Sequence, residues 1–399
     1  MNKLAIVVQR CHESVVGGSE SLAWQWAQLL KNDYQVEILT TTAVDAVTWA
    51  NALSPGIEQR DGLSIQRFKV DQGRTPYWHA LHSLLLKRFE QVRGRTNLPA
   101  QKPSIPWSMA LQEEFIYRQG PYCADMMDFL RRRSCDYSAI VFITYLFPTT
   151  YFGMQQVPRD RCLLLPTLHD EAPAHLCAYK YMTRRARMLL WNTPAEQSLG
   201  AELWGELPGR LVGMGINCRE YAPAQPGYPY LLYSGRIDTF KGSWELVEYF
   251  SRYKREYPSD LRLILTGKDE MGLPIKPDIE FRGFVSEDEK FQLMAGALLF
   301  VMSSPHESLS VVSLEAMAQG TPVLANGRSQ VVADHIRNSE SGCIYNDYSG
   351  FAGAVNELLQ NRGYRIRMAD QAREYVVTRY SLATIHARLL AAIEATDEA

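Results

Sequence analysis

An apolar stretch, Tyr230–Ser234, runs into Gly235-Arg236-Ile-Asp-Thr-Phe-Lys241-Gly-Ser. Two cations on a loop between a strand and a helix start suit an anion, because the free N–H groups and the helix dipole add to the side-chain charge. The spacing nearly repeats the G-x4-G-K-[ST] phosphate loop, but Phe240 stands where the second glycine is needed, which disfavours a P-loop nucleotidase. A second pattern, Ser303-Ser-Pro-His-Glu307-Ser-Leu-Ser-Val-Val-Ser-Leu-Glu315, places one carboxylate on a polar loop and another on the second turn of the following helix. Carboxylates at one end of a sheet can accept hydrogen bonds from sugar hydroxyls. Taken singly, each feature also fits surface cations beside a strand end or an ordinary helical Glu.

The elements that must position these residues can be read from the apolar pattern. Short Val/Ile/Leu-rich runs lie at Leu4–Val8, Val36–Thr40, Ala139–Thr144, Cys162–Leu165 and Met188–Trp191. A second series occupies Tyr230–Ser234, Arg262–Thr266, Ile279–Arg282, Leu298–Met302, Pro322–Ala325 and Gly342–Tyr345. Near-continuous apolar content argues for parallel strands buried on both faces, and helical periodicity separates them, as in Ser21–Leu30, Trp244–Tyr253, Glu287–Ala295 and Val311–Gln319. The pattern, β-α repeated in two series, predicts an α/β protein of two Rossmann-like doubly wound domains. The Pro-rich segment around Pro223–Pro229 sets the boundary, giving residues 1–222 and 223–380. Residues 381–399 form a closing helix whose stripe of Leu382, Ile385, Leu389 and Ile393 needs a partner. Residues 71–133 break the pattern as a basic insertion in the first domain, with ten Lys+Arg against six Asp+Glu.

Together, Gly235-Arg236 with Lys241, and Glu307-x7-Glu315 followed by Ala-Met-Ala-Gln-Gly-Thr-Pro, resemble the family-4 retaining glycosyltransferases of the GT-B fold. The resemblance is strong over about residues 230–380 and weaker over the first domain. It implies an active site in an interdomain cleft, a nucleotide-sugar domain at the C-terminal side and an acceptor domain at the N-terminal side, with the last helix crossing back to the latter. It implies that Arg236 and Lys241 bind the donor diphosphate, Glu307 meets the transferred sugar and Glu315 binds the nucleotide ribose. Ser308, Leu309 and Ser310 would lie near phosphates and sugar, and Gly283, Phe284 and Val285 would cradle the base through backbone groups. Ser286 also reads as the N-cap of the helix that follows.

In the first domain, Gly17-Gly18 at a helix start resembles the family's glycine loop, since glycine lets backbone approach a ligand. His169, in Leu164-Leu-Pro-Thr-Leu-His-Asp-Glu, matches the family's active-site His that contacts the transferred sugar; His12 and His175 are rivals. Asn192-Thr193 follow a strand at a comparable position. Two departures bear on sugar identity: Ser308-Leu309 replaces the usual Gly-Phe or Gly-Leu, and Gly327-Arg328-Ser329 replaces the usual Gly-Gly.

Composition narrows the classes further. The chain has 399 residues, 42 Lys+Arg against 44 Asp+Glu, and 46% hydrophobic residues, which is an ordinary globular balance with no electrostatic case for nucleic acid. Seven scattered cysteines without C-x-x-C suggest neither a disulfide framework nor a zinc knuckle. No Asp-x-Asp pair occurs, and His79 and His82 lack a third ligand, so the reading is metal-independent, with no cofactor. No run is long enough to span a bilayer. The stretch 77–95 places Trp78, Leu81, Leu84, Leu85, Phe89 and Val92 on one side with Lys87, Arg88, Arg93 and Arg95 nearby, which suits either contact with anionic lipid or packing onto the first domain. The expectation is a cytoplasmic enzyme, or one at the inner face of the membrane. It would transfer a sugar from a nucleotide diphosphate, UDP first and GDP second, to a glycan or lipid-linked acceptor, as in O-antigen or capsule assembly. The alternative is a decayed sugar-nucleotide-binding regulatory protein.

Overall fold

The computed structural model describes residues 2–15, 17–93, 105–272 and 276–395. The chain divides into two compact units, Met1–Met214 with His386–Ala399, and Gly215–Ile385. The division falls at 214/215, ahead of the Pro-rich segment at which composition changes. Ile216 already belongs to the second unit: its N–H donates to Tyr380 O at 2.7 Å and it bridges to Ser381.

The first unit is built on β1 (Lys3–Val7), β2 (Gln35–Thr41), β3 (Gly56–Arg60), β4 (Leu63–Phe68), β5 (Ala139–Ile143), β6 (Cys162–Leu165), β7 (Met188–Trp191) and β8 (Gly209–Leu211). Their order is β3-β4-β2-β1-β5-β6-β7-β8, parallel except for the β3–β4 hairpin. That hairpin is absent from the sequence expectation. Its turn residues Asp61 and Gly62 both have positive φ, 52° and 80°. A tight hairpin turn requires such a pair. The insertion folds as helices Pro76–Arg93, Met109–Gln119 and Ala124–Arg133. Trp78, Leu81, Leu85 and Phe89 are buried in the core of this unit, so the stripe packs inward, while Leu84 is 42% exposed. Arg95 lies outside the described residues, as does the side chain of Arg93. Within the unit, His386 contacts Asp33 at 2.7 Å and Arg187 donates to Ile393 O at 3.0 Å, which seats the end of the helix Leu382–Glu394.

The second unit holds β9 (Tyr230–Ser234), β10 (Arg262–Thr266), β11 (Ile279–Gly283), β12 (Leu299–Met302), β13 (Val323–Asn326) and β14 (Gly342–Tyr345). All are parallel, in the order β11-β10-β9-β12-β13-β14. The chain winds outward from β9 to β11, then returns to pair β12 with β9 and winds the other way. The winding reverses between β9 and β12, the switch point beside which open α/β sheets bind ligands. Both loops carry the residues singled out above. Among the described residues, no helix is long and apolar enough to cross a membrane.

Candidate active site

Behind β9, the buried Tyr233 fixes the loop: its hydroxyl donates to Arg236 O at 2.6 Å and accepts from Ser243 Oγ at 3.2 Å. The Arg236 side chain is 60% exposed, with Nη1 3.5 Å from Asp238 Oδ2. Asp238, nearly buried, accepts from the Lys241 N–H at 2.7 Å and so shapes the turn that presents the lysine. Gly242 follows with φ of 68°, and a Cβ there would stand 2.4 Å from Ser303 O. Only glycine lets this turn close on the end of β12. Ser303 Oγ donates to Lys241 O at 2.8 Å across the same contact.

The consequence is a pair that sequence does not reveal. Lys241 Nζ lies 2.8 Å from Glu307 Oε1, with side-chain exposures of 31% and 13%. The Glu307 loop is held from beneath by His335, whose Nε2 is 2.9 Å from Leu309 O and whose Nδ1 is 3.0 Å from Tyr375 hydroxyl. Full burial pulls the His335 pKa down to about 4, so the ring is neutral and must donate through Nε2 to the carbonyl. Leu309 is itself buried; its side chain belongs to the core, and only its backbone shapes the loop. Ser310, at φ 61°, occupies the left-handed cap of the helix Val311–Ala318, and its hydroxyl meets Ser313 Oγ at 2.9 Å.

Glu315 sits on the second turn of that helix, 14% exposed, with Lys290 Nζ 3.0 Å from Oε1 and 2.9 Å from Oε2. Burial pushes its pKa up, and Lys290 opposes the shift. Lys290 comes from the helix Glu287–Gly296 behind β11, capped by Ser286, whose Oγ accepts from Glu289 N–H at 3.1 Å. Of the three loop residues before that cap, Gly283 has φ of 66° and accepts from Gly267 N–H, Phe284 is 73% exposed and Val285 is half-buried. Arg328, behind β13, makes a two-pronged contact with Glu245 at 2.6 and 2.8 Å, and Asn326 links both to Ser303 O. Lys290 and Glu245 have no sequence signal beyond ordinary helical charge.

In the first unit, Gly17 precedes the helix Gly18–Leu30, and a Cβ on it would stand 2.2 Å from Glu20 Oε2. The helix start is thus already covered by a carboxylate, which Arg10, Gln9 and Ser19 all hold. Gly18 is exposed to open space. His169 is half-buried behind β6. Its neighbour Leu168 donates its N–H to Glu196 Oε1 at 2.6 Å, while Glu196 Oε2 accepts from Asn192 N–H at 2.6 Å. One fully buried carboxylate therefore ties the loops behind β6 and β7 together, and burial raises its pKa to about 8. The rivals have other duties: His175 meets Asp170 at 2.8 Å against Phe89, and His12 meets Ser14. His82 stacks on Trp78, and among the described residues no group of three acidic, His or Cys side chains is placed to hold a metal ion.

Residues 228–361 match the family of glycosyl transferases group 1. That span holds β9 to β14 and all the cations and carboxylates of the second unit described above. The chain is 31% identical over 162 residues to the lipopolysaccharide core biosynthesis glycosyltransferase LpsE of Rhizobium meliloti, covering 38% of this chain and 46% of LpsE. It is 27% identical over 245 residues to the D-inositol 3-phosphate glycosyltransferase of a Nocardioides species, covering 51% and 53%. The chain thus spans about half the length of these curated relatives. Among solved structures, the sucrose-phosphate synthase of Thermosynechococcus elongatus superposes with a TM-score of 0.68 at 16% identity, over 98% of both chains. Anabaena Alr3699/HepE, solved in complex with UDP and glucose, gives 0.68 at 15% identity over 98% and 99%. At such identity the likeness is one of fold: the architecture is GT-B, two Rossmann-like doubly wound α/β domains.

Proposed function

We propose that this protein is a retaining glycosyltransferase. It moves a hexose or related sugar from a nucleoside diphosphate to a glycan or lipid-linked acceptor, in assembly of a bacterial surface polysaccharide. The observation that carries the reading is the meeting of Lys241 with Glu307, with Arg236 on the same loop as the lysine, at the switch point of the second sheet and inside the span that matches group 1 glycosyltransferases. The lipopolysaccharide role of LpsE and the UDP complex of the Anabaena protein favour this substrate class, with UDP ahead of GDP.

In the proposed reaction the bond between the anomeric carbon and the leaving phosphate oxygen breaks. The acceptor oxygen bonds to that carbon on the same face, and the acceptor proton passes to the departing diphosphate. Negative charge grows on the diphosphate, where Arg236 and Lys241, preset by Asp238 and Glu307, stabilise it without an obligatory metal. Glu307 contacts the transferred sugar and Glu315 the ribose hydroxyls. Ser308 and the backbone of Gly283, Phe284 and Val285 serve phosphates and base, and Gly17, Gly18 and His169 keep the roles that the family resemblance implies. Location at the inner face of the membrane belongs to the same proposal.

Thermal stabilisation by UDP, GDP, ADP and their sugar conjugates, with EDTA present, tests the reading, since a ligand of the folded state raises Tm by mass action. A shift with one uridine or guanosine nucleotide, followed by sugar transfer or donor hydrolysis, is expected. No shift with any nucleotide overturns it; binding without turnover is the behaviour of a decayed regulatory site.

A further inference from the structure

Lys290 has no part in the reaction as proposed, yet it brackets both oxygens of Glu315, at 3.0 and 2.9 Å. The two residues come from different helices, Glu287–Gly296 and Val311–Ala318, so the contact couples the element behind the base loop to the carboxylate assigned to the ribose. We infer that Lys290 is a positioning residue for nucleotide binding, holding Glu315 in place and ionised as an acceptor for the hydroxyls of a ribose. The inference rests on the ribose role proposed for Glu315.

The physical case is one of acceptor count. An ionised carboxylate offers only acceptors, whereas a protonated one must spend one oxygen as a donor. A vicinal diol that donates both hydroxyl protons is therefore matched better by the ionised form. The Glu315 side chain is only 14% exposed and has lost most of its hydration. An isolated carboxylate in such a place takes up a proton. Lys290 supplies the opposing charge. The charged groups acting on Glu315 are Lys290 and, with opposite sign, Glu287 from the same helix. Lys241 is engaged by Glu307, and Arg373, on the packed helix Arg362–Tyr380, by Glu220. The Lys290 ammonium also stands 4.6 Å from the centre of the Phe291 ring. That attraction adds to the hold on the ammonium.

The test is the affinity of the full-length protein for UDP and for GDP, by calorimetry from pH 6 to pH 8.5, each variant referred to wild type so that titration of the ligand cancels. Lys290→Met keeps the stem and removes the charge. It is expected to bind about tenfold more weakly at pH 6, with the gap closing as pH rises and Glu315 ionises again. Lys290→Arg, which keeps a cation, should retain the wild-type profile. Glu315→Gln should bind weakly with no added pH dependence, and the double variant Lys290→Met/Glu315→Gln should be no weaker than Glu315→Gln alone. Should Lys290→Met fail to fold, Lys290→Gln and the arginine variant carry the same comparison. Wild-type binding with Lys290→Met unchanged at every pH, or additive losses in the double variant, overturns this inference alone. Wild-type protein that binds neither nucleotide overturns the ribose reading and this inference with it.

Discussion

The Lys241 ammonium and the Glu307 carboxylate meet at 2.8 Å although 66 positions of chain separate them. They arrive from loops behind β9 and β12, strands that are distant in sequence and adjacent in the sheet. The pair has two consequences. Each charge has a partner before any ligand arrives, so neither is left buried and bare. In the proposed reaction, a diphosphate that displaces Glu307 from Lys241 frees that carboxylate for the sugar next to it. Truncating either partner therefore removes two functions together.

Lys241→Ala is expected to lower transfer at least about 100-fold, the scale seen when one preorganised charge-stabilising group is lost. The fold should survive, because the side chain is 31% exposed. Glu307→Gln should also lose transfer. Circular dichroism and turnover measured together decide the matter: near-wild-type transfer by the alanine variant removes the diphosphate assignment, and donor hydrolysis and transfer both unchanged in the glutamine variant remove the role of Glu307.

Gly242→Ala meets two obstacles, a positive φ of 68° and a carbonyl oxygen 2.4 Å from the new Cβ. The turn must back away from Ser303, which parts Lys241 from Glu307. A loss of roughly 1–3 kcal/mol of stability is expected, with a larger proportional loss of nucleotide binding. Chemical denaturation together with nucleotide titration checks both; an unchanged midpoint and affinity would show that the close approach is dispensable.

Glu196 gives a pH signature. Its folded pKa of about 8 lies above the ordinary carboxylate value of 4.5, so the folded state holds a proton that the unfolded chain has released. Its contribution to stability is full below about pH 4.5 and is lost as pH rises through about 8. The wild-type Tm should fall more steeply between pH 5 and pH 9 than that of Glu196→Gln, which mimics the protonated side chain. Parallel Tm profiles for the two proteins would sink this account.

Arg328 holds Glu245 in a two-pronged contact while its side chain is 58% exposed. Exposed pairs contribute little to stability, about 0–1 kcal/mol. Arg328→Ala should leave Tm within a few degrees of wild type. If the loop behind β13 helps select the sugar, the variant should instead change the ratio of kcat/KM between competing donor sugars. An unchanged ratio across uridine and guanosine diphosphate sugars would limit Arg328 to tethering its loop.

Much of the fold was legible because its signals are local. Each expected strand of the second unit is present, since near-continuous apolar runs such as Tyr230–Ser234 and Leu298–Met302 suit a sheet covered on both faces. Gly320 has φ of 76°. It ends its helix as a left-handed stop should. The β3 strand escaped because Gly56–Arg60 is a mostly exposed edge strand with a single apolar residue, Ile57. Its Asp-Gly turn was the local cue available.

What sequence alone determined is the set of elements and the chemistry hung on their ends: parallel strands, a glycine-and-cation loop and two carboxylates on and before a helix. Those properties follow from side-chain period, backbone freedom and charge type, all of which act over a few residues. Tertiary structure decided which charge meets which. It set Lys241 against Glu307, Lys290 against Glu315, Arg328 against Glu245, and one buried Glu196 between Leu168 and Asn192. Those pairings depend on strand order and on how far a backbone can close at Gly242, and neither leaves a periodic trace in the chain.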